Sequence, residues 1–231
     1  MSFEVAKISD GFYSFFQRGV RAFLVEGSEK ALLVDTCYEG ELRKLCESLT
    51  DKPITVVITH SDPDHVGCVA QFDEFYMHPA EYSRFVDRYG ELKNVRPVWE
   101  GDVFDLGGIK YEVILLPGHT PGSIALFERD KRHIIGGDSV QAHPIYMFNS
   151  GRELLSFAAS MDKLISMESE FDFVYSSHGQ LEVPTNVIHE LRAFALEAYA
   201  GDLPEAKEPE QAVPDDVKLF IKGSAQLLLK V

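Results

Sequence analysis

Basic residues are scarce in this sequence. Its 231 residues hold 22 Lys and Arg against 37 Asp and Glu, a formal net charge of −15 at pH 7. No dense Lys/Arg run compensates, so the clustered phosphate contacts and long-range attraction that nucleic acid or an anionic membrane surface demand are missing. Cysteine is scarce as well. Cys37, Cys46 and Cys68 are an odd set without paired spacing, which argues against a disulfide framework and for a reducing compartment. No run approaches the roughly 18 apolar residues of a membrane-crossing helix. The opening MSFEVAKISDGFYSFF shows no basic stretch followed by an apolar one, so no signal peptide is read and a cytoplasmic location is expected. A Gly-x-Ser-x-Gly elbow for a serine nucleophile is also lacking.

What remains is an ordinary globular composition, 45% hydrophobic and 26% charged. Phe3–Ile8, Phe12–Phe16, Ala22–Glu26 and Ala31–Asp35 read as strands, separated by turn signals at Asp10-Gly11 and Gly27-Ser28. A helix is expected over Glu41–Leu49, where Leu42, Leu45, Cys46 and Leu49 share a face. The β-branched run Ile54–Thr59 reads as a strand buried on both faces and ends at His60. Tyr111–Leu116, Ser123–Glu128, His133–Gly136 and Phe173–Tyr175 read as further strands, Leu154–Met167 and Val187–Tyr199 as helices. Two sets of strands, each followed by helices, suggest an α+β chain with sheets face to face and helices outside. One domain is expected over residues 1–231: a core over 1–200, an acidic, proline-bearing connector over 201–216, and a terminal β-hairpin over 217–231.

Reactive residue types gather at strand ends. His60-Ser61-Asp62-Pro63-Asp64-His65 places four possible ligands on a strand-to-helix junction. Pro117-Gly118-His119-Thr120-Pro121-Gly122-Ser123 bends sharply between two strands and projects His119. Gly136-Gly137-Asp138-Ser139 and Ser176-Ser177-His178-Gly179 end two more. Each could be a plain turn by itself. Together they supply imidazoles and carboxylates, a donor set suited to Zn, Fe or Mn.

In these loops the sequence resembles the metallo-β-lactamase superfamily. The family's Thr-His-x-His-x-Asp-His signature stands here as Thr59-His60-Ser61-Asp62-Pro63-Asp64-His65, and Gly118–Ser123, Gly137-Asp138-Ser139 and Ser177-His178-Gly179 follow in family order. Asp35-Thr36 also fits, with Cys37 where the family usually has Gly. The resemblance implies a four-layer αββα sandwich of two mixed sheets, and two divalent transition-metal ions. Carried over by position, His60, Asp62 and His119 hold one ion, Asp64, His65 and His178 the other, and Asp138 bridges them. Asp64 would also orient the nucleophile. Asp62 is the departure, a carboxylate where the signature has its second His, and a carboxylate there favours Fe or Mn over Zn.

His143 and Tyr146, just beyond the Asp138 loop, are candidates to line a substrate pocket. His78, His133 and His189 read as structural, as do the aromatics of the first third. Cys37 and Cys68 flank the ligand loops and read as small buried residues. The leading expectation is a metal-dependent hydrolase of a small ester, thioester, lactone or related molecule. The alternatives are a diiron-type redox protein needing a separate electron donor, and a non-catalytic metal-binding sensor. The oligomeric state is open.

Overall fold

Alternating apolar residues in the first third make an antiparallel ladder in the computed structural model, which describes residues 2–91 and 93–231. Strands β1 (Glu4–Ser9), β2 (Phe12–Gln17), β3 (Val20–Glu26) and β4 (Ala31–Val34) pair in sequence order. After helix α1 (Leu42–Glu47), β5 (Ile54–Val57) pairs parallel to β4. A one-turn helix α2 (Pro63–Val66) then leads to β6 (Phe75–Met77), α3 (Tyr82–Tyr89) and β7 (Val95–Pro97), and β5, β6 and β7 are parallel neighbours. The result is a seven-stranded mixed sheet in the order β1-β2-β3-β4-β5-β6-β7.

The later strands are β8 (Val103–Asp105), β9 (Lys110–Leu115), β10 (Ile124–Glu128), β11 (His133–Ile135), β12 (Ile145–Tyr146), β13 (Phe173–Tyr175) and β14 (Glu182–Pro184). All but β12 join a second mixed sheet in the order β14-β13-β11-β10-β9-β8. The terminal hairpin, β15 (Val217–Lys222) with β16 (Ala225–Lys230), forms a third small sheet in which β16 also pairs parallel to β12. Helices α4 (Leu154–Ser166) and α5 (Asn186–Tyr199) pack on each other. Residues 201–216 form no helix or strand beyond one bridge between Lys207 and Leu219. The chain is therefore α+β, with two large mixed sheets and five α-helices among the described residues.

Contacts divide the chain into two units. One runs to Ile114 and includes Leu126–Glu128; the other comprises Leu115–Ala125 and Arg129–Val231. In the first, Phe15, Leu24, Leu33, Ile58, Phe75 and the three cysteines bury together. Each such large apolar side chain contributes about 1.5–3 kcal/mol on burial. The cysteines are free, and burial pushes the Cys37 and Cys46 thiols up to about 12 and Cys68 to about 11. They stay protonated and pack as small apolar groups, as expected.

The elements that pattern alone did not find are short. β6, β7, β8, β12 and β14 have two or three residues each, too few for an alternation to declare itself. Helix α3 carries Tyr82, Phe85, Val86 and Tyr89 at helical spacing, a stripe the residue pattern offered but that was not taken up, and of these only Phe85 is fully buried.

Candidate metal centre

In the first unit the candidate donors follow β5 within a short stretch of chain. The strand-to-helix junction divides the donors: His60 and Asp62 precede α2, whereas Asp64 and His65 lie inside it. The cause is Pro63 at the first helical position, whose fixed φ starts the turn. Asp62 takes the extended N-cap backbone at φ −70° and ψ 150°. Gly67 ends the turn where a Cβ would lie 1.9 Å from the Tyr38 carbonyl oxygen, so only glycine lets the chain pass there.

One buried acid orients both histidines. Asp35 accepts from Thr59 N at 2.7 Å and Thr59 Oγ1 at 2.8 Å, and its Oδ2 lies 2.7 Å from His65 Nδ1. The Thr59 hydroxyl has one proton, given to Asp35, so its 3.0 Å contact with His60 Nδ1 requires the ring to donate. Both rings are thereby set with Nδ1 protonated and Nε2 carrying the lone pair. Those Nε2 atoms face carboxylates: His60 Nε2 lies 3.7 Å from Asp62 Oδ2, and His65 Nε2 lies 3.7 Å from Asp64 Oδ2. The two rings are 4.1 Å apart between centroids and fully buried. Asp35 and Cys37 adopt left-handed backbone at φ 62° and 52°, strained positions for residues with a Cβ, on the segment that carries the orienting acid.

A second acid sits behind the same loop. Glu81, fully buried, accepts from Ser61 N at 2.9 Å and Ser61 Oγ at 2.6 Å. Arg84 on α3 donates to Asp62 Oδ1 at 3.0 Å.

In the second unit each donor has its own loop. At Gly118, φ is 139° and a Cβ would meet the Phe157 Cα at 2.3 Å, so the backbone before His119 lies directly on α4. Ser160 Oγ donates to the Pro117 carbonyl at 2.6 Å and Glu153 N to the Gly118 carbonyl at 2.9 Å, which ties this loop to the same helix. The Thr120 and Ser123 hydroxyls close the turn at 2.7 Å. The Asp138 and His178 loops join through Ser177 N donating to the Gly137 carbonyl at 3.4 Å. Asp138 Oδ2 lies 3.6 Å from His119 Nε2, and its Oδ1 lies 3.3 Å from His178 Nε2. One carboxylate thus faces two imidazoles.

The expected donors are distributed over both units: His60, Asp62, Asp64 and His65 lie in the first, His119, Asp138 and His178 in the second. Of the substrate-pocket candidates, His143 stacks on His178 with centroids 6.0 Å apart and planes 12° from parallel. Tyr146 packs against Phe148 and beneath the Arg152 guanidinium. His78 caps the 3-10 turn Pro79–Glu81, His133 is buried in β11, and exposed His189 pairs with Glu168 at 2.6 Å. Glu81 and Arg84 had no place in the sequence reading. Their only signal is an acid and a base three residues apart at a helix start.

The donor set fits a divalent transition metal. It offers four imidazoles whose Nε2 faces carboxylate oxygen, and in His60 and His65 the Nδ1–H is also engaged, the outer-shell pattern that fixes a ligating histidine. No helix among the described residues is long and apolar enough to cross a membrane.

Known proteins bear on the same residues. The family model of the metallo-β-lactamase superfamily matches residues 16–178, which contain all seven donors. The chain is 26% identical over 196 residues to the human acyl-coenzyme A thioesterase MBLAC2, covering 66% of this chain and 70% of that protein. It is 29% identical over 133 residues to the hydroxyacylglutathione hydrolase GloC of Haemophilus influenzae, covering 49% and 62%. A solved metallo-β-lactamase from Pontibacter korlensis superposes with a TM-score of 0.71 at 19% identity, over 84% of this chain and 99% of its own. That last likeness is one of fold.

Proposed function

The chain belongs to the metallo-β-lactamase superfamily and is a metallo-hydrolase, and we propose that it hydrolyses a small thioester with two divalent transition-metal ions. The observation that carries this reading is the paired setting of His60 and His65, each with Nδ1 held and Nε2 turned to a carboxylate. A structural histidine has no need of that arrangement, still less twice on one loop. The thioester comes from the relatives: MBLAC2 and GloC are both named as hydrolases of that bond class.

In this reading His60, Asp62 and His119 would hold one ion, Asp64, His65 and His178 would hold the other, and Asp138 would serve both. When bound, two such ions supply Lewis acidity and bring the pKa of a coordinated water towards neutrality. The chain's own residues do the rest. Asp64, half-buried at the start of α2, orients the attacking water and holds its proton at a carboxylate oxygen. The water oxygen adds to the acyl carbon, the carbon–sulfur bond breaks, and the thiolate leaves. Asp35 keeps His65, and through Thr59 also His60, in the tautomer that leaves Nε2 basic. His143 and Tyr146 are the residues we assign to the substrate pocket. Residues 1–231 act as one catalytic domain, and the free, buried thiols fit a cytoplasmic setting.

The test is a substrate panel of acyl-coenzyme A, S-acylglutathione, simple esters and lactones, run on protein of known metal content. The expected result is thiol release that is lost in His119→Ala and falls by at least about 100-fold in Asp64→Asn. Metal-loaded protein that turns over nothing in the panel would leave a binding role in its place. Iron content with a reversible, electron-dependent colour change would favour redox chemistry.

A further inference from the structure

Asp62 is the one signature position where an acid replaces an imidazole, and a guanidinium stands behind it. Arg84 Nη2 donates to Asp62 Oδ1 at 3.0 Å, while Asp62 Oδ2 lies 3.7 Å from His60 Nε2. The carboxylate is divided, one oxygen towards the cation and the other towards the imidazole lone pair. Arg84 is itself fixed: its Nε lies 3.6 Å from Glu81 Oε2, and its side chain is only 20% exposed. The same Glu81 oxygen takes both the N–H and the hydroxyl of Ser61, the residue before Asp62. A single buried acid therefore locks the backbone that presents Asp62 and the guanidinium that turns its side chain.

We propose that Asp62 and Arg84 work as one ligand unit, in which Asp62 Oδ2 binds the first metal and Arg84 is the positioning residue that holds Oδ1 and draws off part of the charge. The proposal rests on the metal-centre reading above. An aspartate is shorter than a histidine and can swing to bind through both oxygens; a hydrogen bond from the planar fork to Oδ1 leaves it one productive orientation. It also tempers the preference for harder metals that a bare carboxylate would bring. With this cation beside it, Asp62 does not select Fe or Mn by its charge alone.

Pairing makes an unusual demand on variants. Beside Asp62, Arg84 helps the metal; beside an imidazole it would present a cation to a neutral ligand that has no oxygen to receive it. The effect of removing Arg84 should therefore change sign with the residue at position 62. The experiment titrates Zn(II), and separately Mn(II), against a chromophoric chelator for the wild type, Arg84→Met, Asp62→His and the double variant, with metal counted by elemental analysis. Arg84→Met alone should weaken the first ion by about 10- to 100-fold, the usual effect of an outer-shell partner. Arg84→Lys should recover part of the loss. Asp62→His alone should bind the first ion more weakly than wild type, although it restores the family signature, and adding Arg84→Met should regain at least about tenfold. If burying Glu81 without its cation unfolds a variant, the same cycle is run with Glu81→Gln in all four proteins, since the amide oxygen still accepts from Ser61.

Arg84→Met with the same effect in both backgrounds, or with none, overturns the pairing. Failure of the metal-centre reading looks different. In that case the wild type binds no ion, or binds only ions that His65→Ala and His119→Ala do not remove, and the pairing falls with it.

Discussion

The donors of the first unit are held by charge, and those of the second by the shape of the chain. Behind His60–His65 stand Asp35, Glu81 and Arg84, two acids and a guanidinium that are mostly or wholly buried. Behind His119, Asp138 and His178 stand glycine-permitted backbone, hydroxyl-closed turns and the flank of α4. Among these three donors the carboxylate is Asp138 itself. Where buried charges orient a ligand, one substitution unbalances the rest. Where backbone orients it, the cost of a change is steric and indifferent to pH.

The largest effect expected from this contrast is at Asp35. It is 1% exposed and serves the Thr59 amide, the Thr59 hydroxyl and the His65 ring. Asp35→Ala leaves those buried donors unanswered and should cost about 3–5 kcal/mol in urea unfolding of the chelated protein. A loss below about 1 kcal/mol, smaller than a single unanswered buried donor should cost, would mean that shape holds this loop too.

How much of this could be read from residues alone follows the same division. The places of His60, Asp64, His65, His119, Asp138 and His178 in the fold were legible because loops bearing these residue types sit at strand ends, next to turn residues whose chemistry is local. The long strands and α4 and α5 were legible from period and length. Glu81 and Arg84 were not, because they reach Ser61 and Asp62 across about twenty residues of chain, a pairing that no local pattern reveals. The orienting role of Asp35 was hidden likewise, although its position was noted. Local chemistry is written in neighbouring residues, whereas the charges that tune it are brought in by pairing between distant strands.

His133 sharpens the contrast from the other unit. Like His65 it is a buried imidazole, but its surroundings are the rings of Phe173 and Tyr175, and burial lowers its pKa from 6.5 to about 4. Well above pH 6.5 both folded and unfolded states keep it neutral and it has no influence. Between about 6.5 and 4 the unfolded chain takes up a proton that the folded one refuses, so stability falls as the pH falls. That difference amounts to about 3 kcal/mol, fully lost below pH 4. His133→Gln should flatten this part of the stability curve by that amount relative to wild type. Parallel curves for the two proteins would show that His133 is charged, or hydrated, when folded.

Metal occupancy should follow in size. Ions that bind only the folded chain stabilise it by about 2.7 kcal/mol for each site held at about 100 times its dissociation constant. Verified removal with a chelator should lower the melting temperature, and an unchanged melting curve would count against resident metals.

The smallest effects are also the cleanest measure of the second unit. Gly118 has φ 139°, a conformation that L-residues avoid, and a Cβ would come within 2.3 Å of the Phe157 Cα and 2.5 Å of its Cβ and N. Those are atoms of α4, which cannot yield as a flexible side-chain tip would. Gly118→Ala must therefore push the His119 loop off the helix, stretching the bonds from Ser160 to Pro117 and from the Glu153 amide to Gly118. The expected cost is about 2 kcal/mol, from backbone strain and overpacking together. Because no charge is created or removed, the loss should be the same at about pH 5 and about pH 8 and in low or high salt. Ser160→Ala, which removes one tie without adding an atom, should cost about 1 kcal/mol and share that indifference. If the Gly118→Ala loss varied strongly with pH or salt, His119 would have to be held by its charge partner Asp138 more than by the backbone, and the division between the two units would dissolve.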